Sequence, residues 1–196
     1  MSHYYDENQY AQSNRKEISF RFWCLDYTFV LDNGIFSKNR LDSGTRILLD
    51  SLKDLELGNE ILDLGCGAGF IGIILKGSNP QYHLTLSDIN ERALELTKLN
   101  ADKNQVKVNV LKSDGFNNIH GQFDAIITNP PIRCGKAVIY KMFDDAKDHL
   151  NPNGKLVLVI RRQHGAESAI KHLETVYGNC EIVDRDKGFY VLMARK

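Results

Sequence analysis

The sequence predicts an α/β fold with a doubly wound, mostly parallel sheet of seven strands, one antiparallel strand near the C-terminus and a strand pair before the sheet. The main observation is that apolar runs of strand length alternate with segments of helical period through most of the chain. Such alternation is typical of a parallel sheet covered by helices on both faces, with right-handed crossovers. The last two runs, "CEIVD" and "FYVLMA", follow each other after a short link, which permits an antiparallel pair.

The elements follow in a regular order. "ISFRF" and "YTFVL" predict the first strand pair, and a loop then leads into a helix from Thr45 to Leu55 that Gly58 would end. The next elements are strand "EILDL", helix "FIGIILKG", strand "HLTLSD", helix "NERALELTKLNADK", strands "VKVNVL" and "FDAIIT", helix "AVIYKMFDDAKDHL", strand "KLVLVI" and a helix over 165–177. In that last helix apolar residues recur at helical spacing, which predicts a face packed on the sheet.

Composition limits the classes of protein to consider. The chain has 196 residues, 42% of them apolar and 26% charged, which suits one globular domain over 17–196 after a flexible polar tail over 1–16. No apolar stretch approaches the roughly 20 residues of a membrane span, and no secretory signal begins the chain, so we expect a cytoplasmic protein. The four cysteines are scattered without a metal-site or disulfide spacing, so we expect no metal. The 25 basic residues balance the 25 acidic ones, so a nucleic-acid partner would need a local basic patch.

A glycine-rich turn, "DLGCGAGFIG", follows the first strand of the predicted sheet. Its acid and first glycines are Asp63, Gly65, Gly67 and Gly69. Two interpretations are open. Counted from Gly67, the pattern GxGxxG with Asp88 about 20 residues later predicts a dinucleotide site and a nicotinamide-dependent oxidoreductase. Counted from Gly65, directly after the strand, the pattern is GxGxG with an acid two residues before it, which fits better.

Two further acids end the following strands. Asp88 ends "HLTLSD", where its carboxylate can accept hydrogen bonds from ribose hydroxyls or cap the helix that begins near Asn90. Asp114 ends the next strand, where it can meet an adenine amino group or form an Asx-turn before Gly115. Ligands of such sheets bind beyond the carboxyl ends of the strands, where both acids lie.

These motifs, with the "NPP" of "TNPPIR", resemble those of class I S-adenosylmethionine-dependent methyltransferases, which have a Rossmann-like fold. "DLGCGAG", "SDIN", "SDGF" and "NPP" occur in that family's order. The NPP element resembles that of enzymes which methylate exocyclic amines of adenine or guanine, or glutamine amides. "DNGIFSKNRLDSGTRILLD" and "NPPIRCGK" resemble the single-domain small-subunit ribosomal RNA guanine-N2 methyltransferases. The resemblance implies S-adenosyl-L-methionine as cofactor, bound by Asp63, Gly65, Gly67, Gly69, Asp88, Asp114 and Asn129.

The resemblance also gives the two prolines after a buried strand a chemical reason. An exocyclic amine is a poor nucleophile because its lone pair is delocalised into the ring. The side-chain oxygen of Asn129 and the carbonyl of Pro130 can accept its two hydrogens, while Pro131 stiffens the loop. Asn129, Pro130 and Pro131 are therefore the predicted catalytic residues; the alternative is a rigid turn.

The implied substrate is ribosomal RNA, free or in the small ribosomal subunit. Its predicted contacts are Ile132, Arg133, Lys136, Phe36, Arg161 and Arg162. Ile132 stands where many NPP enzymes have an aromatic residue to stack on the base, and Phe36 lies in a segment that resembles the family's cover loop. The four cations are predicted phosphate contacts, although a solvated charged rim is the plainer alternative.

Three other functions stay open at this point. They are a nicotinamide-dependent oxidoreductase, an RNA-binding protein of this fold without catalysis, and an adenine-N6 or protein-glutamine methyltransferase. The sequence leaves open which nucleotide is methylated and what oligomer the chain forms.

Overall fold

Strands and helices alternate through residues 13–33 and 41–196, the residues that the computed structural model describes. The strands are β1 (Lys16–Phe22), β2 (Leu25–Leu31), β3 (Glu60–Leu64), β4 (His83–Asp88), β5 (Asn109–Lys112), β6 (Phe123–Thr128), β7 (Leu150–Arg161), β8 (Glu181–Asp186) and β9 (Phe189–Arg195). The helices are α1 (Ser43–Leu52), α2 (Phe70–Ser78), α3 (Glu91–Lys103), α4 (Lys136–Asp148) and α5 (Ala166–Tyr177).

The main sheet has seven strands in the order β5-β4-β3-β6-β7-β9-β8. Strands β3 to β7 run parallel, and β9 runs against both of its neighbours. The predicted fold is therefore confirmed, including its one antiparallel strand. The chain builds outward from β3 through β4 to β5 and then returns to place β6 on the other side of β3. This reversal puts the ligand crevice of a doubly wound sheet beyond the ends of β3 and β6.

The strand pair β1–β2 forms its own antiparallel ribbon and packs on helices α2 and α3. The ring of Phe29 in β2 stacks on Phe70, the first residue of α2, with ring centroids 4.3 Å apart. The side chain of Asn100 in α3 bonds both the amide and the carbonyl of Val30. Because a side-chain amide offers a donor and an acceptor together, it pairs with the edge of β2 as another strand would.

Asp32, just after β2, ties three segments together. Its fully buried carboxylate accepts hydrogen bonds from the Arg92 guanidinium at 2.8 Å, the Ser13 hydroxyl at 2.8 Å and the Asn14 amide at 2.7 Å. Burial opposes ionisation, but these bonds outweigh it and lower the pKa of Asp32. Ser13 and Asn14, within the predicted tail, are thus attached to the hairpin. Residues 1–12 lie outside the described part of the chain, so the tail stays a prediction.

The predicted end of the first helix is wrong. Helix α1 ends at Leu52, and Gly58 lies beyond it in the turn before β3. Gly58 has φ +77°, and a side chain there would overlap Asp124. The Asp124 carboxylate accepts hydrogen bonds from the amides of Asn59 and Glu60. Glycine at position 58 therefore allows the backbone of this loop to lie close to the Asp124 carboxylate.

The strand predicted as "VKVNVL" is shorter and shifted, since β5 begins only at Asn109. The Val106 amide still bonds back to the carbonyl of Ala101 in α3, which prevents it from joining the sheet. Gln105, at φ +55°, turns the chain out of the helix.

Across the described ranges, no helix has the length and apolar character needed to cross a bilayer. The same residues contain no group of three or more His, Cys, Asp or Glu side chains arranged to hold a metal ion.

Candidate functional site

The glycine-rich turn after β3 is anchored to its neighbours through the backbone. The amides of Gly65 and Cys66 both donate to the carbonyl of Ser87 in β4, at 2.8 and 2.9 Å. The Thr97 hydroxyl in α3 donates to the carbonyl of Gly67 at 2.8 Å. The turn is therefore fixed before any ligand binds.

The glycines of this turn divide into two kinds. Gly65 and Gly67 have φ of +75° and +56°, and a side chain added at either would meet no protein atom within 4 Å. A methyl group at Gly72 would instead lie 2.6 Å from Leu86, and one at Gly69 would lie 2.9 Å from Ile73. Gly65 and Gly67 thus leave open space in front of the turn, whereas Gly69 and Gly72 allow close packing behind it. This division agrees with the pattern counted from Gly65.

Asp63 lies beneath the turn and is completely buried. Its Oδ2 accepts a hydrogen bond from the Gly72 amide at 3.0 Å, while Oδ1 is buried without a partner among the described residues. Burial is the main cause that raises its pKa to about 7, and the charge of Asp88 adds to the effect against the Gly72 bond. An unpartnered carboxylate oxygen in the interior favours a cationic group nearby.

Asp88 joins two loops at the end of β4. One carboxylate oxygen accepts from the Gly67 amide and the other from the Asn90 amide, each at 2.9 Å. Asn90 itself caps α3, because its side-chain oxygen accepts from the Arg92 amide. Asn90, and not Asp88, is therefore the N-cap residue of α3. Burial raises the pKa of Asp88 in spite of these bonds, and sequence reasoning missed its contact with the glycine turn.

Asp114 lies on the exposed rim of the turn after β5. The Ser113 hydroxyl donates to the carbonyl of Gly115 at 2.8 Å, and the Ser113 amide donates to the carbonyl of Asp88 at 3.0 Å. Ser113, which sequence reasoning did not single out, shapes this turn and holds it beside β4.

The NPP segment lies at the adjacent strand end. The Thr128 hydroxyl at the end of β6 donates to the carbonyl of Leu64 in β3. The Asn129 side-chain nitrogen then donates to the Thr45 hydroxyl at 3.0 Å, and the Pro131 carbonyl accepts from the Cys134 amide at 2.9 Å. Within the described residues no donor bonds to Oδ1 of Asn129 or to the carbonyl of Pro130. Two acceptors at the crevice between β3 and β6 are therefore open, in the sense that no described protein group donates to them.

The predicted substrate contacts that the structure describes lie on one rim but differ in burial. Ile132 is half-buried and packs against the core beneath α4, while Arg133 and Lys136 are exposed. Phe36 lies outside the described residues, so its role stays a prediction. A methyl group added at Gly165 would lie 3.8 Å from Nζ of Lys136, so this lysine reaches the loop after β7.

Arg161 and Arg162 line a groove of about 640 Å³ beyond β7. The Arg161 guanidinium lies 4.6 Å from the centroid of the Phe189 ring, and Arg162 is 3.7 Å from the carboxylate of Glu167. The lining residues are Arg161, Arg162, Gln163, Gly165, Glu167, Ser168, Lys187 and Gly188. Three of them are cations and one is an anion. Sequence reasoning missed Lys187, although an antiparallel β9 necessarily brings the β8–β9 turn to the carboxyl edge.

Comparisons with known proteins agree with this geometry. A family model described as the methyltransferase small domain matches residues 26–193. The chain belongs to this family, and the prediction of a class I S-adenosylmethionine-dependent methyltransferase is confirmed. The assignment favours that cofactor over the nicotinamide alternative, and the open space before Gly65 with the unpartnered Asp63 oxygen fits a cationic nucleoside ligand.

Similar proteins fall into two groups by length. The chain is 41% identical to the uncharacterized protein YbxB of Bacillus subtilis over 99% of this chain and 98% of that protein. It is 38% identical to the ribosomal RNA small subunit methyltransferase C of Hamiltonella defensa, over 89% of this chain and 52% of that protein. The chain thus spans about half the length of this second relative.

Among solved structures, the chain is similar to the T. thermophilus 16S rRNA N2 G1207 methyltransferase in complex with AdoMet and guanosine. The TM-score is 0.84 at 25% identity, over 94% of this chain and 51% of that one. A methyltransferase from Pyrococcus furiosus, with a TM-score of 0.66 at 24% identity over 75% of this chain and 80% of that one, shares the fold.

The buried carboxyl of Asp63 predicts a pH-dependent stability of the ligand-free protein. Its pKa is raised from 3.8 to about 7, so its contribution is fully present below pH 3.8 and is lost as the pH rises through 7. The free energy of unfolding of the wild type relative to Asp63→Asn should fall by about 4 kcal/mol between pH 4 and pH 8. Urea unfolding of both proteins across this range measures the difference, in which the acids that do not interact with Asp63 cancel. A difference that does not change with pH would show that Asp63 titrates normally.

Proposed function

We propose that the protein transfers a methyl group from S-adenosylmethionine to the exocyclic N2 amine of a guanine in small-subunit ribosomal RNA. The observation that carries this proposal is the pair of open acceptors, Oδ1 of Asn129 and the carbonyl of Pro130, beside the glycine turn. The names of the methyltransferase C relatives and of the T. thermophilus structure support a ribosomal RNA substrate. Such a substrate agrees with the expected cytoplasmic location and with a single catalytic domain over 17–196.

The residues around the glycine turn supply a site for each part of the cofactor. Asp88, with both carboxylate oxygens directed by loop amides, retains lone pairs for the two ribose hydroxyls. Gly65 and Gly67 leave the backbone accessible, and the buried carboxyl of Asp63 lies behind it, where a bound cation would favour its ionised form. Asp114, on the next loop, is placed for the adenine amine. When bound, the cofactor supplies an electrophilic methyl group on its sulfonium.

The NPP acceptors act on the nucleophile. Two hydrogen bonds accepted from an exocyclic amine fix its plane and raise the electron density on its nitrogen, so that the lone pair can be held toward the methyl group. Positioning of two reactants lowers a barrier by several kcal/mol, with about 7 to 11 kcal/mol as the range for ideal alignment. After transfer the nitrogen is cationic and its proton is acidic, so the proton can leave to water without a tuned base.

The choice of guanine among amine substrates rests on the similar T. thermophilus structure, a 16S rRNA N2 G1207 methyltransferase with guanosine bound, because adenine N6 and glutamine amides present the same two hydrogens. Ile132 offers an aliphatic surface to a ring. To reach Asn129 a base must leave its stack, which costs least for an unpaired nucleotide.

The basic rim supports an RNA substrate for this neutral chain. Lys136, Arg161, Arg162 and Lys187 lie around the loop after β7, beside the NPP segment, and Arg133 lies on the turn between them. Exposed guanidinium and ammonium groups on one rim suit the phosphates that flank a flipped nucleotide.

Replacing Asn129 tests the proposed reaction. If Asn129 holds the amine chiefly in the transition state, Asn129→Ala should slow single-turnover methyl transfer by about 10²- to 10³-fold, as removal of one preorganised hydrogen-bond partner does. The measurement uses saturating tritiated S-adenosylmethionine and small-subunit ribosomal RNA, free or in subunits. Sensitivity of the label to ribonuclease separates RNA from protein as acceptor.

Binding of cofactor and RNA should weaken far less than the rate falls, and a melting curve serves as the control that Asn129→Ala is folded. A mutant rate near the wild-type rate would leave the NPP segment as a rigid turn. A wild type that binds both ligands but transfers no methyl would favour the non-catalytic RNA-binding alternative.

The rim makes a separate prediction about salt. Replacing Arg161 and Arg162 together by Ala should weaken RNA binding and flatten its logarithmic dependence on salt by about 0.7 to 0.9 for each lost phosphate contact. Lys53 and Lys107, exposed cations before β3 and β5, provide a matched control, because replacing both removes the same charge at the opposite edge of the sheet. Equal salt dependences of RNA binding in the two double variants would show that the rim is an ordinary solvated surface that does not contact RNA phosphates.

A further inference from the structure

The side chain of Asn129 is useful to an amine only in one of its two orientations. A primary amide carries an acceptor oxygen and a donor nitrogen of nearly the same shape, and rotation by 180° exchanges them. With the oxygen toward the crevice, the side chain accepts a hydrogen from the amine. With the nitrogen there, it presents hydrogens to hydrogens and repels the substrate. A protein group therefore has to hold the side chain with its oxygen toward the crevice.

Thr45, in the first turn of α1, is the group in contact. Asn129 Nδ2 donates to the Thr45 hydroxyl oxygen at 3.0 Å, and this leaves Oδ1 without a protein donor among the described residues. Thr45 is buried, with 5% of its surface exposed, whereas Asn129 is half-buried at the crevice. Water cannot readily replace a partner on the buried side of the amide, so the observed contact keeps Nδ2 on the side of Thr45 and Oδ1 away from it.

The first turn of α1, which carries this hydroxyl, is itself held in place from two sides. The Asp42 carboxylate caps α1 by accepting from the amides of Gly44 and Thr45, at 2.9 and 3.2 Å. Gly44 packs so closely on β9 that an added methyl group would lie 2.9 Å from the Phe189 ring. Helix α1 is thereby fixed against the same strand end that carries the groove. The Thr45 hydroxyl oxygen on this fixed turn can therefore orient the Asn129 side chain.

We infer that Thr45 is a positioning residue for methyl transfer, which fixes the Asn129 amide with its oxygen toward the substrate amine. This inference rests on the proposed function. Thr45 touches neither the methyl group nor the amine in this account and acts only through Asn129. Its loss should therefore lower kcat and leave ligand affinities unchanged.

The test compares Thr45→Val, which keeps the shape and removes the acceptor, with Thr45→Ser, which keeps the hydroxyl. In single-turnover transfer, Thr45→Val should be about 2- to 13-fold slower, the factor expected for one hydrogen bond. Thr45→Ser should retain most of the wild-type rate. Dissociation constants for S-adenosylmethionine and RNA should stay within about twofold in both. In an Asn129→Ala background Thr45→Val should slow transfer no further, because the two residues act as one unit.

An NMR measurement on the ligand-free protein tests the contact between Thr45 and Asn129 without relying on activity. In the ¹⁵N spectrum of the ligand-free protein, the Asn129 side-chain NH₂ signals, assigned by their loss in Asn129→Ala, should shift in Thr45→Val and hold their wild-type positions in Thr45→Ser.

Any of the following results would overturn the inference: a wild-type rate in Thr45→Val, an equally slow Thr45→Ser, or unmoved amide signals in Thr45→Val. A faster Thr45→Val would show the amide in the opposite orientation and would overturn it as well. If the wild type transfers no methyl to RNA, the proposed function fails, and the amide signals alone decide whether Thr45 holds the side chain.

Discussion

The carboxylate of Asp88 is the connection on which the rest of the site depends. It bonds the amides of Gly67 and Asn90 at the same time, so the turn after β3 and the turn after β4 share one rigid frame. Parallel strands deliver all their ends to one edge, and the backbone groups there have no further strand to pair with. Asp88, together with the Ser87 carbonyl that accepts from Gly65 and Cys66, satisfies them locally. A second acid, Asp63, is buried close enough to Asp88 for the negative charges of the two carboxylates to repel each other.

The hydrogen bonds at this edge also decide which groups remain for ligands. Most loop amides and carbonyls are bonded to protein, while Asp63 Oδ1, Asn129 Oδ1 and the Pro130 carbonyl have no donor in the described residues. Unpartnered buried acceptors cost stability in the free protein. The cationic cofactor and the proposed amine substrate would bring the missing positive charge and hydrogens, which would offset this cost. The preorganised acceptors then need no rearrangement when the reaction occurs.

Much of the fold and part of the site could be read from the sequence. The alternation of strand-length apolar runs with helical periods predicted the parallel sheet, and the short link between the last two runs predicted an antiparallel strand near the C-terminus. The glycine turn and NPP were found because their residue types are chemically unusual at strand ends. Thr45 and Lys187 were missed, since they reach the site only through packing of α1 and the β8–β9 turn. The brace from Asp88 to Gly67 and the true role of Gly58 also depend on contacts between residues distant in sequence, which no local pattern encodes.

The central claim is that the open acceptors of Asn129 and Pro130 receive an exocyclic guanine amine. The most direct measurement is the identity of the methylated nucleoside after transfer from labelled S-adenosylmethionine to small-subunit ribosomal RNA, followed by complete digestion and mass spectrometry. The account predicts that the label lies in N2-methylguanosine. Label in a ring-nitrogen or ribose methyl product, neither of which presents a primary amine to these acceptors, would contradict it.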